Sequence, residues 1–157
     1  ITSAQAFVIT GQLTGDVRTQ NPDNLFVDVT ITVNDAKKNT ASWVVDINSP
    51  LHQKIKLDEF YFNLASTVDT SKLSFTGFNP TGWAINSSRV VVQGAGGTTF
   101  QFEALNTAKG KNRVAVTNSQ SLTFNMILST GFFTIDDFLK APLAISNDAG
   151  SGQMGAH

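Results

Sequence analysis

From Leu25 to Asn34 the chain alternates: Leu25, Val27, Val29, Ile31 and Val33 fall on one side and mostly polar groups on the other. A period of two is that of a β-strand with one buried face. The same beat predicts strands over 4–13, 25–34, 41–47, 54–64, 73–78, 83–86, 89–93, 98–105, 112–117 and 120–129. Turn-forming runs separate them, among them Asn21-Pro22-Asp23-Asn24, Asn48-Ser49-Pro50, Asn79-Pro80-Thr81-Gly82 and Gly94-Ala95-Gly96-Gly97. Many short strands at this spacing predict an all-β protein, a two-sheet antiparallel β-sandwich of jelly-roll type.

Two departures from the beat carry information. In 54–64 the apolar set starts at Ile55 and Leu57 and resumes at Phe60, Phe62 and Leu64, so the phase slips by one residue at Asp58-Glu59. A one-residue slip turns a strand over, and a β-bulge is the device that does so without ending it. Near 134–141 the period changes to helical: Thr134 is placed to cap, Asp136 and Asp137 suit the first turn, and Pro142 stops the helix. The segment 146–157 is Gly-rich and mostly polar and reads, by itself, as a flexible tail.

At 157 residues the chain fits a single sandwich domain with its own core. Hydrophobic residues are 41% of it, an ordinary share, but charged residues only 15%, against the usual quarter. The polar surface is therefore built from Ser, Thr, Asn and Gln. A net charge of −1 supplies no basic footprint for nucleic acid. There is no cysteine, so disulfides, thiolate metal sites and cysteine nucleophiles are excluded together. No run reaches the length of a membrane-spanning helix, and the opening at Ile1 is read as a trimmed or processed end.

Candidate chemistry is sparse. His52 and His157 are the only histidines and show no metal-ligand spacing. Asp46, Ser49 and His52 name the members of a hydrolase triad, yet they crowd one turn and lack the Gly-x-Ser-x-Gly elbow. Of the carboxylates, Asp58 and Glu59 are adjacent on a strand, Asp136 and Asp137 suit a helix start, and Glu103 alternates outward from Phe102 and Ala104. No acid pair is placed across a cleft. A structural calcium needs only oxygen ligands from loops, and Asp16, Asp23, Asn24 and Asp69 are its candidates, with Asp35 of the same type. Planar rings with polar rims could stack on sugars; Trp83, Phe78 and Tyr61 are the candidates, Trp83 foremost because it follows a turn. Trp43, in phase with Val45 and Ile47, reads as core.

The run Asp58-Glu59-Phe60-Tyr61-Phe62-Asn63-Leu64, then Val68-Asp69-Thr70-Ser71-Lys72-Leu73-Ser74-Phe75, then 132–139 and the Gly-rich Ala149 to His157, resembles the exported bacterial proteins of the PEP-CTERM, or exosortase-sorted, class. In that class an F-x-N-L strand is followed by an Asp-containing turn and an L-x-F strand. The Pro-Glu-Pro, membrane segment and basic tail of the class do not occur in these residues. The resemblance implies a secreted or cell-surface β-sandwich associated with exopolysaccharide, biofilm or matrix, and no catalytic residues. It also implies that His157 starts a strand cut short. The expectation is thus a non-enzymatic extracellular structural protein whose partners are copies of itself, assembling into filaments by strand addition. The alternative is a carbohydrate-binding module for exopolysaccharide.

Overall fold

The structure, a computed structural model, describes residues 5–15, 23–92, 97–146 and 150–157, residue 150 by its backbone alone. The cleanest alternations become the longest strands: β1 (Phe7–Thr14), β2 (Phe26–Val33) and β3 (Thr40–Ile47) form an antiparallel meander. The chain then runs through β4 (Glu59–Phe62), β5 (Leu73–Asn79), β6 (Trp83–Asn86), β7 (Val90–Val91), β8 (Thr99–Phe100), β9 (Phe102–Asn106) and β10 (Leu122–Leu128). The helix α1 (Asp136–Leu139) and the short strands β11 (Ala144–Ser146), β12 (Gly150–Gly152) and β13 (Met154–Ala156) complete it.

These strands make the expected two-sheet antiparallel sandwich with one short helix. One sheet has five strands in the order β1-β2-β3-β10-β5, the other four in the order β13-β4-β9-β6. After the β1-β2-β3 meander the chain passes back and forth between the sheets, the kind of path a jelly roll uses throughout. Two small hairpins, β7-β8 and β11-β12, stand beside the sandwich.

The core is where the two apolar faces meet. Register lines up rows of inward side chains across the larger sheet: Ile9, Ile31, Trp43 and Phe124 in one, Val29, Val45 and Leu122 in the next. From the smaller sheet Phe60, Phe62 and Phe102 face them. Phe62 lies 4.7 Å from Trp43 on one side and stacks on Phe102 at 4.9 Å on the other, so its ring joins the two layers. Stacked and edge-on pairs at such distances add to the area they bury.

The slip at Asp58-Glu59 is the bulge that the sequence predicts. Both amides, Asp58 N–H and Glu59 N–H, donate to the one carbonyl of His157, at 2.7 and 3.2 Å, and His157 N–H donates back to Glu59 O at 2.9 Å. Two residues thus oppose one, and Phe60 and Phe62 are turned into the core. A second bulge on β5 sets Gly77 and Phe78 against Phe124, with Gly77 at φ 68°. Phe75 and Phe78, three residues apart, can therefore both pack on the core.

Three expectations are corrected. The 146–157 tail is ordered instead into β12, paired with β11, and β13, paired with β4. The 112–117 strand reduces to single bridges at Val116 and Thr117, because Val114 is exposed and only Val116 finds an apolar partner, Leu57. Thr134 does not cap α1 with its hydroxyl; the buried Asp137 carboxylate reaches back to accept from Thr134 N–H at 2.8 Å. The other Asp137 carboxylate oxygen accepts from Thr67 Oγ1 at 2.7 Å, so this one side chain ties α1 to the loop after β4.

Candidate functional site

A sandwich of open sheets has edges, and each unpaired edge offers free N–H and C=O groups to another strand. On one flank the larger sheet ends in β5 and the smaller in β6, and the short Asn79-to-Gly82 turn joins the two strands directly. That flank is tied at one end by its own connection, and the Gly77 bulge kinks β5 besides. On the other flank β13 is short, while β1 runs straight through Phe7-Val8-Ile9-Thr10-Gly11-Gln12-Leu13-Thr14. It holds no charge, no proline and no bulge against β2. Among the described residues no backbone group on its outer side is hydrogen-bonded. Natural edges are usually shortened, charged or bulged; this one is none of these. Phe7, Ile9 and Leu13 point to the core, while Val8, 61% exposed, leads the outer face.

The aromatic platform does not form. Trp83 starts β6 facing inward and is 4% exposed, because the turn before it is the tight corner between sheets and not a surface loop. Its indole N–H and that of Trp43 are enclosed without an acceptor. Tyr61, 1% exposed, faces the opposite side of the smaller sheet, under Phe100 and Ala144. Phe78 stacks on Phe124 at 5.5 Å. With Trp83 and Tyr61 buried, Phe78 is left half-buried with one face on Phe124, and the three rings make no common platform.

Among the described residues the calcium candidates Asp23, Asn24 and Asp69 do not come together either. Asp16 lies outside the described residues, as do Gly94 to Gly96. Asp23 lends its backbone carbonyl to His52 Nε2 at 2.6 Å, and Asn24 occupies a turn at φ 63°. Asp69 accepts from Ser71 Oγ at 2.6 Å and Ser71 N–H at 3.1 Å, with Lys72 at 3.8 Å; the Ser71 bonds hold its carboxyl below the usual range. Asp35 is paired with Lys38 at 3.7 Å. Among the described residues no group of three or more His, Asp or Glu is placed to hold a metal ion.

Asp46, Ser49 and His52 have other partners. Ser49 is buried; its hydroxyl accepts from Phe26 N–H at 2.7 Å and donates to Phe26 O at 3.0 Å, fastening the start of β2. Asp46 stands directly opposite Asp28 in the β2–β3 register, and burial, then the Asp28 charge, raises its carboxyl above the ordinary range.

The sequence does not reveal that Glu59, Tyr61, Glu103 and His157 come together on the face of the smaller sheet away from the main core. Tyr61 pairs with Glu103 across β4 and β9, and His157 Nδ1 meets Glu59 Oε2 at 2.7 Å. Burial raises the Tyr61 hydroxyl and the Glu103 carboxyl; the neighbouring Glu59 charge adds to both, and an Asn86 hydrogen bond partly offsets the rise at Glu103. A surface groove of about 430 Å³ lies away from both glutamates, between Ser71, Ser87, Arg89, Thr99 and Gln101 over Phe100 and Phe102. Arg89 reaches Thr99 Oγ1 at 3.4 Å and pairs with no carboxylate among the described residues. A smaller groove of about 300 Å³ flanks the Arg113–Asp58 ion pair.

The residues Phe62, Asn63 and Leu64, in the run that carries the resemblance, are structural. Asn63 donates to Pro142 O and accepts from Gln101 N–H, both at 2.9 Å, while Phe62 and Leu64 are core. Gln153 donates to Leu139 O and Ala141 O at 2.9 and 2.8 Å, satisfying carbonyls at the end of α1. No helix among the described residues is long and apolar enough to cross a membrane. Comparison with protein-family models, with curated proteins and with solved structures finds no match for this chain.

Proposed function

We propose that this chain is a non-enzymatic structural protein of the cell surface or extracellular matrix that self-associates by β-strand addition, into dimers or filaments. The open β1 edge carries the reading: an eight-residue uncharged strand that nothing blunts among the described residues. Such an edge is a hazard in a protein kept monomeric and an asset in one that assembles. The low charge content removes the repulsion that keeps copies apart. The Ser49 hydroxyl and the His52 ring nitrogen, occupied in fastening loops, favour scaffold over catalysis. The resemblance to exported matrix-associated proteins supplies the location.

The test is light scattering and electron microscopy over a concentration series, on the parent chain and on the double variant Val8→Lys, Thr10→Lys. Both positions are exposed, so the fold should tolerate the change while the edge gains like charges. Concentration-dependent assembly that the variant loses supports the proposal. A parent that stays monomeric at the highest concentration, or a variant that assembles equally, refutes it.

The groove at Arg89 favours a second reading, capture of an extracellular polysaccharide. Hydroxyl and amide walls over an apolar floor suit a sugar, and the guanidinium suits one bearing a carboxylate. An exopolysaccharide pull-down that Arg89→Ala weakens would support it, and binding indifferent to Arg89→Ala would remove it.

A further inference from the structure

We infer that the partner of β1 is β1 of a second copy, in antiparallel two-fold pairing centred on Thr10, so that the five-stranded sheets of two chains join into one. This rests on the strand-addition reading above and adds the identity of the added strand and its register.

The first argument is elimination among edges. A head-to-tail chain of copies needs a second receptive edge on the same sheet, and β5 is kinked by the Gly77 bulge and leaves that sheet at Asn79 for the turn into β6. An isologous contact needs only one edge, used twice. The second is the parity of the pleat. A two-fold axis perpendicular to the sheet sets a residue opposite its own copy and keeps both cores on the same side, so inward residues oppose inward residues. Centring on Thr10 sets Phe7 against Leu13 of the other copy and Ile9 against Gly11. All four inward positions are then matched, and the bulky Ile9 faces a residue with no side chain. A shift by one residue in either direction leaves Phe7 or Leu13 unopposed. Nothing within 4 Å occupies the space where a Gly11 side chain would stand, which leaves room for that ring of contacts.

The rows of the core continue through such a joint. In each chain Ile9 lies in register with Ile31, Trp43 and Phe124, and Gly11 with Val29, Val45 and Leu122. The Ile9 row of one copy therefore runs on into the Gly11 row of the other. On the outer face Thr10 meets Thr10, a favourable cross-strand pair, and Val8 meets Gln12. No like charges meet, since β1 has none.

The chain has no cysteine, so a single introduced thiol reports the register without background. Thr10→Cys and Gln12→Cys are each oxidised in dilute and concentrated solution and run on a non-reducing gel. The expected result is a shift of most of the Thr10→Cys chain to twice its mass, increasing with concentration, with little shift for Gln12→Cys, whose thiols the register keeps apart. Preferential cross-linking of Gln12→Cys, or of neither variant while the parent still assembles, overturns the register and leaves the strand-addition reading standing. A parent that remains monomeric defeats both.

Discussion

Replacing Phe62 by alanine tests whether the two sheets meet where the rings place them. Phe62 is fully buried, 4.7 Å from Trp43 in the larger sheet, 4.9 Å from Phe102 beside it and 5.9 Å from Phe60. A buried phenylalanine removes about 150 to 200 Å² from water, which at roughly 25 cal/mol per Å² is about 4 to 5 kcal/mol. The measured range for Phe→Ala in cores, about 3 to 5 kcal/mol, includes the cavity left behind. For a chain of this length a kilocalorie moves the melting midpoint by roughly 2 to 4 °C, so Phe62→Ala should lower it by about 6 to 20 °C. Phe132→Ala is the control: that ring is 62% exposed, and its loss should stay within about 0.5 kcal/mol. Urea and thermal melts followed by circular dichroism give both numbers. Equal small effects from the two variants would refute the packing argument, since then no ring joins the layers at Phe62.

Asp46→Asn should stabilise the protein at neutral pH by about 0.5 kcal/mol, because Asp46 stands opposite Asp28 and like charges in that position cost about that much. Its folded carboxyl titrates above the unfolded value, so the parent loses stability as pH rises through that window; the two chains should converge in acid below about pH 3, which paired melts at both pH values check. Asp137→Ala should cost about 1 to 2 kcal/mol in the same melts, since it removes the carboxylate that accepts from Thr134 N–H at the start of α1 and from Thr67 Oγ1. Gly82→Ala should cost roughly 1 to 3 kcal/mol: Gly82 sits at φ 92°, and an added methyl would stand 2.6 Å from the Ala108 side chain.

What could be read from the sequence was whatever the two-residue beat controls. Strands β2, β3 and β10 bury one face each, so their alternation is strict and their phase unambiguous. The Asp58-Glu59 bulge was legible for the same reason, because phenylalanines fix the phase on its far side. Strands β12 and β13 were not legible: Gly150-Ser151-Gly152 and Met154-Gly155-Ala156 have almost no apolar pattern and are held by backbone pairing. Gly155 is small because Phe100 lies over it, 3.2 Å from where a methyl would be, a constraint only tertiary structure reveals. Trp83 stands out as a stacking candidate in the sequence only because its preceding turn resembles a surface loop, whereas that turn carries the chain from one sheet to the other and leaves the ring buried. The β1 edge lay between these cases: its alternation was visible, but that it ends a sheet is a matter of strand order, which no local pattern encodes.

The most direct measurement is hydrogen exchange across β1 as a function of protein concentration. Amides of Phe7 to Thr14 that face away from β2 should exchange quickly in dilute solution and slow progressively as the protein is concentrated, while those of β2 and β3 stay protected throughout. If the outer amides of β1 exchange at one rate from the most dilute sample to the most concentrated, the open edge has no partner and strand addition is wrong.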